Sequence, residues 1–219
     1  MRLVVFDLDG TLINSEALII ETVRESFGAV GQAIPSDAAI RSISGITARE
    51  AMGILAPGVD EDRIDVILNS YRAHYQQRAG LAREPLFDGA LAALDRLQAQ
   101  PETILAVATG KGHAGAITLL ERHDIIGRFH SIQTPAHNRG KPDPQMIETA
   151  MDRAGIGREA TVMIGDTSHD MKMARAAGVK ALGVAWGYHT VPELEAAGAH
   201  IVIDRMDDLV DTIDKLLET

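Results

Sequence analysis

The spacing of short aliphatic runs along the chain restricts the fold more than any other feature. Leu3–Phe6, Thr103–Ala108, Phe129–Gln133, Thr161–Gly165, Ala181–Ala185 and Ile201–Ile203 are rich in β-branched and aliphatic residues and are bounded by Gly, Asp, Thr or Pro. Runs without polar alternation suit strands covered on both faces, as in a parallel sheet. Segments of helical period, Lys111–His123, Pro144–Ala154 and Thr167–Ala177, alternate with the later runs as crossover helices do. The pattern predicts an α/β fold with a doubly wound, Rossmann-like parallel sheet.

One interval breaks the rhythm, because about a hundred residues separate the first run from the second, where a crossover needs a few tens. Its content is helical. Leu18, Ile19, Val23 and Phe27 share a face of Ser15–Phe27, and Ile64, Ile67, Leu68, Tyr71 and Tyr75 share a face of Asp60–Ala79. Gly28, Gly31, Pro35, Pro57 and Gly58 punctuate the interval. We expect an inserted all-helical subdomain over residues 14–81, leaving 1–13 and 82–219 as the α/β core. Linkers fall near Asn14 and Arg83-Glu84-Pro85, and core helices resume behind Asp88 as an N-cap. The stripe Leu68, Tyr71 and Tyr75 reads as the interior of the insertion.

Composition removes several kinds of protein. The 219 residues carry a formal charge of −10, so nucleic acid would be repelled without a basic cluster, and none is evident. There is no Cys, which removes disulfides, thiolate zinc sites and cysteine nucleophiles. The eight His are scattered without an H-E-x-x-H pattern. No stretch approaches the ~18 apolar residues of a membrane span, and the first apolar run is too short for a signal peptide. The expectation is a cytoplasmic protein, monomer or homodimer, without membrane or nucleic acid partners.

In open parallel sheets ligands bind beyond the carboxyl ends of the strands. Polar residues concentrate there: Asp7-Leu8-Asp9-Gly10-Thr11, Thr109-Gly110, Lys141-Pro142 and Gly165-Asp166-Thr167-Ser168-His169-Asp170. Asp7 and Asp9, two apart in an extended segment, point to one side while Leu8 points to the core. Adjacent anions persist when a cation joins them, and Asp166 with Asp170 adds hard oxygens suited to Mg²⁺. Gly10 can turn the chain and offer its N–H to an anion. Lys141 adds a fixed positive charge, and Thr11 and Thr109 add hydroxyl donors. Together these groups describe a site that binds a phosphate and attacks its phosphorus.

These four segments, in this order, resemble the four motifs of the haloacid dehalogenase superfamily, and the insertion is similar to the helical cap of its phosphoglycolate phosphatase and β-phosphoglucomutase subgroup. The resemblance implies Asp7 as a nucleophile that forms an aspartyl-phosphate and Asp9 as general acid and base. It implies Mg²⁺ held by Asp7, Asp166 and the backbone carbonyl of Asp9, with Asp170 supporting, and phosphoryl oxygens held by Thr11, Thr109, Gly110 and Lys141. The implied reaction is hydrolysis of a small phosphorylated metabolite, a phosphate monoester. A phosphosugar mutase and a non-catalytic phosphate-binding protein are the alternatives. Gly110 and Asn14 depart from the Asn and Asp common in the superfamily, and Asp9 argues against carbon–halogen chemistry. Gly45 and Arg49 resemble the cap segment that reaches substrate, and a mutase would need Arg49 for its second phosphate.

Gly110-Lys111-Gly112-His113-Ala114-Gly115 also matches the dinucleotide pattern G-x-G-x-x-G. The acidic residue expected at the end of the next strand is missing, since that stretch is Ser131-Ile132-Gln133-Thr134. The glycines read instead as a helix start facing the phosphate. Trp186 and Tyr188 fit packing, a dimer contact or a pocket wall equally well.

Overall fold

The computed structural model describes residues 1–79 and 84–218. Six strands, β1 Arg2–Phe6, β2 Thr103–Ala108, β3 Ser131–Gln133, β4 Thr161–Gly165, β5 Lys180–Val184 and β6 Ile201–Ile203, form one parallel sheet in the order β3-β2-β1-β4-β5-β6. The order reverses direction between β1 and β4, and a crevice opens at the carboxyl ends of such a switch point. Phe6 pairs with Ile164 in register, so the residues that follow each strand, Asp7 and Asp166, come together at the crevice.

The alternation of side chains along each strand divides the core in two. Val4 and Phe6 of β1 face one layer, with Leu94, Leu97, Leu120, Val210 and Ile213 from helices α5 (Ala90–Gln98), α6 (His113–Arg122) and α10 (Leu209–Leu217). Leu3 and Val5 face the other, with Met146, Ile147, Met171, Ala174 and Leu194 from α7 (Gln145–Ala154), α8 (Ser168–Ala177) and α9 (Val191–Ala196). Each such buried aliphatic contributes about 1.5–3 kcal/mol.

Among the described residues, four helices lie between β1 and α5: α1 Glu16–Ala29, α2 Asp37–Ser42, α3 Ala48–Leu55 and α4 Glu61–Ala79. They enclose an interior of their own, built on Val23, Phe27, Ile40, Met52, Ile67 and Leu68 with Tyr71 at its margin. The two connections to the sheet run side by side: Ile13 bridges Leu86 in antiparallel fashion, and Asn14 N–H donates to Pro85 O at 2.8 Å. The expected boundary at Leu81 and the linker residue Arg83 lie outside the described residues. Among the described residues no helix is long and apolar enough to cross a membrane.

One expectation is corrected. Gly89, not Asp88, occupies the N-cap of α5, with φ 84° and no side-chain cap. A positive φ there selects the residue without a Cβ.

Candidate active site

Asp7 extends the parallel register one residue past β1, its N–H donating to Ile164 O at 3.0 Å. Its Oδ1 accepts the Leu8 N–H at 2.7 Å, and its Oδ2 lies 2.7 Å from Lys141 Nζ. The same ammonium lies 2.6 Å from Asp170 Oδ1. Asp170 sits in the first turn of α8 and forms a capping box with Thr167, whose N–H and hydroxyl donate to Asp170 Oδ2 at 3.0 and 2.6 Å. One oxygen of Asp170 thus caps a helix while the other faces Lys141. Asp166 accepts the Thr11 hydroxyl on Oδ1 and the Tyr188 N–H on Oδ2, both at 2.8 Å.

Asp7, Asp166, Asp170 and Lys141 are all buried. Oxygens of the three carboxylates lie within 4.8 Å of one another, and Lys141 is the one cation in ion-pair contact with this trio among the described residues. Burial pushes Asp7 up to about 7, with Lys141 opposing and Asp170 and Asp9 adding. Burial, then Asp170 and Asp7, drive Asp166 well above the carboxylate range, against Tyr188 N–H and Thr11. Burial also opposes the charge of Lys141, but Asp170 and Asp7 outweigh it and hold the ammonium. Hard oxygens this short of positive charge fit a divalent cation.

Asp9 faces a different partner. Its Oδ2 lies 2.9 Å from Lys111 Nζ, and its Oδ1 is buried without a hydrogen-bond partner among the described residues. Thr109 Oγ1 accepts the Lys111 N–H at 3.2 Å, which leaves the Thr109 hydroxyl hydrogen for an acceptor in the site. Thr11 and Gly10 are committed elsewhere. The Thr11 hydroxyl serves Asp166, Thr11 N–H donates to Leu8 O at 3.2 Å, and Gly10 N–H donates to Ile13 O at 2.8 Å. In this conformation neither offers the donor expected for a phosphate, because the turn after β1 uses the two backbone N–H groups and Asp166 takes the Thr11 hydroxyl.

The inserted helices reach this edge through residues 45–47. A Cβ at Gly110 would lie 2.6 Å from Gly45 O and 2.7 Å from Ile46 O, and one at Gly140 would lie 2.7 Å from Thr47 Cγ2. Gly45, with φ 90°, is itself seated against Thr167, 2.7 Å from where its own Cβ would be. Arg49 is exposed and pairs with Glu61, at 2.6 Å, and Asp65, both on α4.

Lys111 is the residue that sequence reasoning missed. Burial works against its charge, but Asp9, Tyr75 and Tyr71 raise its pKa well above the ordinary value. Tyr75 lies at the far end of the apolar stripe on α4, and its hydroxyl accepts from Lys111 Nζ and donates to Glu84 Oε1. An aromatic residue two turns beyond Leu68, the last buried residue of that stripe, was the available signal.

The parallel sheet with a buried carboxylate cluster at its switch point is an α/β architecture that binds its ligands at the carboxyl ends of the strands. The chain belongs to the haloacid dehalogenase-like hydrolases, whose family model matches residues 4–184. It is 35% identical to "Probable phosphatase IndB" of Dickeya dadantii, over 99% of this chain and 95% of that protein. It is 31% identical to a phosphoglycolate phosphatase of Agrobacterium fabrum, over 92% and 88%. Among solved structures, a predicted phosphatase from Clostridium acetobutylicum superimposes with a TM-score of 0.87 at 25% identity, covering 100% of this chain and 99% of that one.

Proposed function

We propose that the protein is a cytoplasmic hydrolase of small phosphate monoesters, of the phosphoglycolate phosphatase kind, working through a covalent phosphoaspartate at Asp7. The observation that carries this reading is the buried group of Asp7, Asp166 and Asp170 around Lys141, with Asp9 beside it. Mg²⁺ would be held by Asp7, Asp166 and the backbone carbonyl of Asp9, and would supply the charge neutralisation that lets a carboxylate approach a phosphate.

The residues of the chain do the rest. An Asp7 oxygen attacks phosphorus as the ester P–O bond breaks, and protonated Asp9 passes its proton to the leaving alkoxide through Oδ1. Lys141, the Thr109 hydroxyl and Gly110 N–H hold the phosphoryl oxygens in place. Asp9, now a carboxylate, takes a proton from a water whose oxygen attacks the same phosphorus. The bond to Asp7 breaks, inorganic phosphate leaves, and Asp9 is protonated again. Residues 14–81 act as a cap, with Gly45 and Ile46 closing over Gly110 to exclude water.

Relatives named as phosphatases support the reading. A mutase would need a cap cation for a second phosphate, and Arg49 is engaged by Glu61 and Asp65. A scaffold would gain nothing from buried carboxylates that cost stability. Phosphate release from a panel of small esters, 2-phosphoglycolate and sugar phosphates included, tests it. Mg²⁺-dependent release is expected; isomerised sugar phosphate, or no turnover of any ester, would contradict it.

A further inference from the structure

The segment Trp186-Gly187-Tyr188, just after β5, takes no part in the reaction above, yet it governs both oxygens of Asp166. Tyr188 N–H donates to Oδ2 directly. The other oxygen is held through Thr11, whose hydroxyl donates to Oδ1 and whose carbonyl accepts the Trp186 indole N–H at 3.0 Å. The backbone crowds the carboxylate closely. A Cβ at Gly187 would lie 2.2 Å from Asp166 Cβ, and one at Gly10, with φ 82°, would lie 2.2 Å from Asp166 Oδ2 and 2.6 Å from Tyr188 Cδ2.

Tyr188 also reaches the inserted helices. Its hydroxyl lies 3.0 Å from Ser15 Oγ, and both residues are buried. Ser15 holds the N-cap of α1, where a serine oxygen ordinarily accepts an N–H of the first turn for about 1 kcal/mol. Here it makes no such bond. The helix forgoes its cap and the serine faces Tyr188, one residue beyond the Asn14–Pro85 crossing of the two connections.

We propose that Trp186 and Tyr188 are positioning residues that set the two oxygens of Asp166 and, through the Tyr188–Ser15 contact, tie cation affinity to the seating of α1 on the core. This rests on the cation-binding part of the reading above. Such coupling is reciprocal: cation binding tightens the start of α1, and loosening α1 weakens the cation.

The test uses Mn²⁺ as the probe, with free ion counted by electron paramagnetic resonance and amide exchange followed over Ile19–Thr22, whose first member donates to Ser15 O. In the wild type Mn²⁺ should slow that exchange. Trp186→Phe keeps a ring, loses the N–H and should weaken Mn²⁺ about ten-fold, the low end for a group that orients a metal ligand. Tyr188→Phe and Ser15→Ala retain the Tyr188 N–H; each should weaken Mn²⁺ about five-fold and abolish the protection, and the double variant should be no worse than either. If Trp186→Phe does not fold, those two variants carry the test. A merely structural role would lower the melting temperature and leave the Mn²⁺ response intact. Wild-type affinity with retained protection in Tyr188→Phe overturns this inference alone, and a wild-type protein that binds no Mn²⁺ overturns it together with the proposed chemistry.

Discussion

Lys111 Nζ lies 2.9 Å from Asp9 Oδ2. From the same position it lies 2.8 Å from the Tyr75 hydroxyl and 4.7 Å from the centre of the Tyr75 ring, so one core lysine joins the proposed acid–base group to α4. Asp9 is mostly buried, and loss of its cation leaves it without the partner that orients it. Lys111→Met should lower kcat about 100-fold, toward the loss of a general acid–base contribution. Tyr75→Phe keeps the ring face and should cost less. Steady-state phosphate release decides it, and a Lys111→Met rate equal to wild type would remove Lys111 from the site.

Asp7 should leave a pH signature in stability. Burial pushes it from 3.8 up to about 7, with Lys141 opposing and Asp170 and Asp9 adding. Between those values the folded protein holds a proton that the unfolded chain has released. Stability therefore falls as pH rises through that window, by at most about 1.4 kcal/mol per pH unit for one group. Without divalent cations the protein should melt higher at pH 5 than at pH 7.5, and Asp7→Asn should show a shallower slope. Mg²⁺ at pH 7.5 should raise the wild-type melting temperature. Identical slopes for the two proteins would show that the pH dependence does not originate at Asp7.

Gly110 stands where many members of the superfamily carry Asn, and the backbone of Gly45 and Ile46 occupies the space that a side chain would take. Gly110→Ala should lift that loop. An ångström of misplacement can cost about 100-fold, so kcat/KM for a small ester should fall by about that factor while a bulky aryl phosphate loses less. Unchanged discrimination between small and bulky esters would show that the loop does not limit substrate size.

The strands were legible because a strand covered on both faces admits almost no polar residue, and Leu3–Phe6 or Thr161–Gly165 can be little else. The run at Phe129 overreached. Phe129 N–H closes a 3₁₀ turn onto Ile126 O at 3.2 Å, the first bond to β2 comes from His130 N–H to Leu105 O at 2.8 Å, and the paired register starts at Ser131. Asp7 and Asp166 were legible for the same reason as the strands, since each directly follows one of the two strands that meet at the switch point. Lys111 was not. A lysine between glycines looks solvated, and its partner Tyr75 stands 36 residues away on a helix whose docking the local pattern does not encode. Tyr75, grouped with Leu68 and Tyr71 as interior, faces the core domain for that same reason. Trp186 and Tyr188 stood out by residue type, while their bonds to Thr11 and Asp166 depend on the turn after β5.

Covalent phosphorylation of Asp7 is open to one experiment. The protein is mixed with 2-phosphoglycolate and Mg²⁺, quenched in acid within the first turnovers, digested and examined by mass spectrometry, with Asp7→Asn in parallel. The expected result is a phosphoryl group on the peptide bearing Asp7 in the wild type, none in the variant, and phosphate release by the variant at background while its fold is retained. Turnover by Asp7→Asn, or a phosphoryl group on another residue, would contradict the assignment.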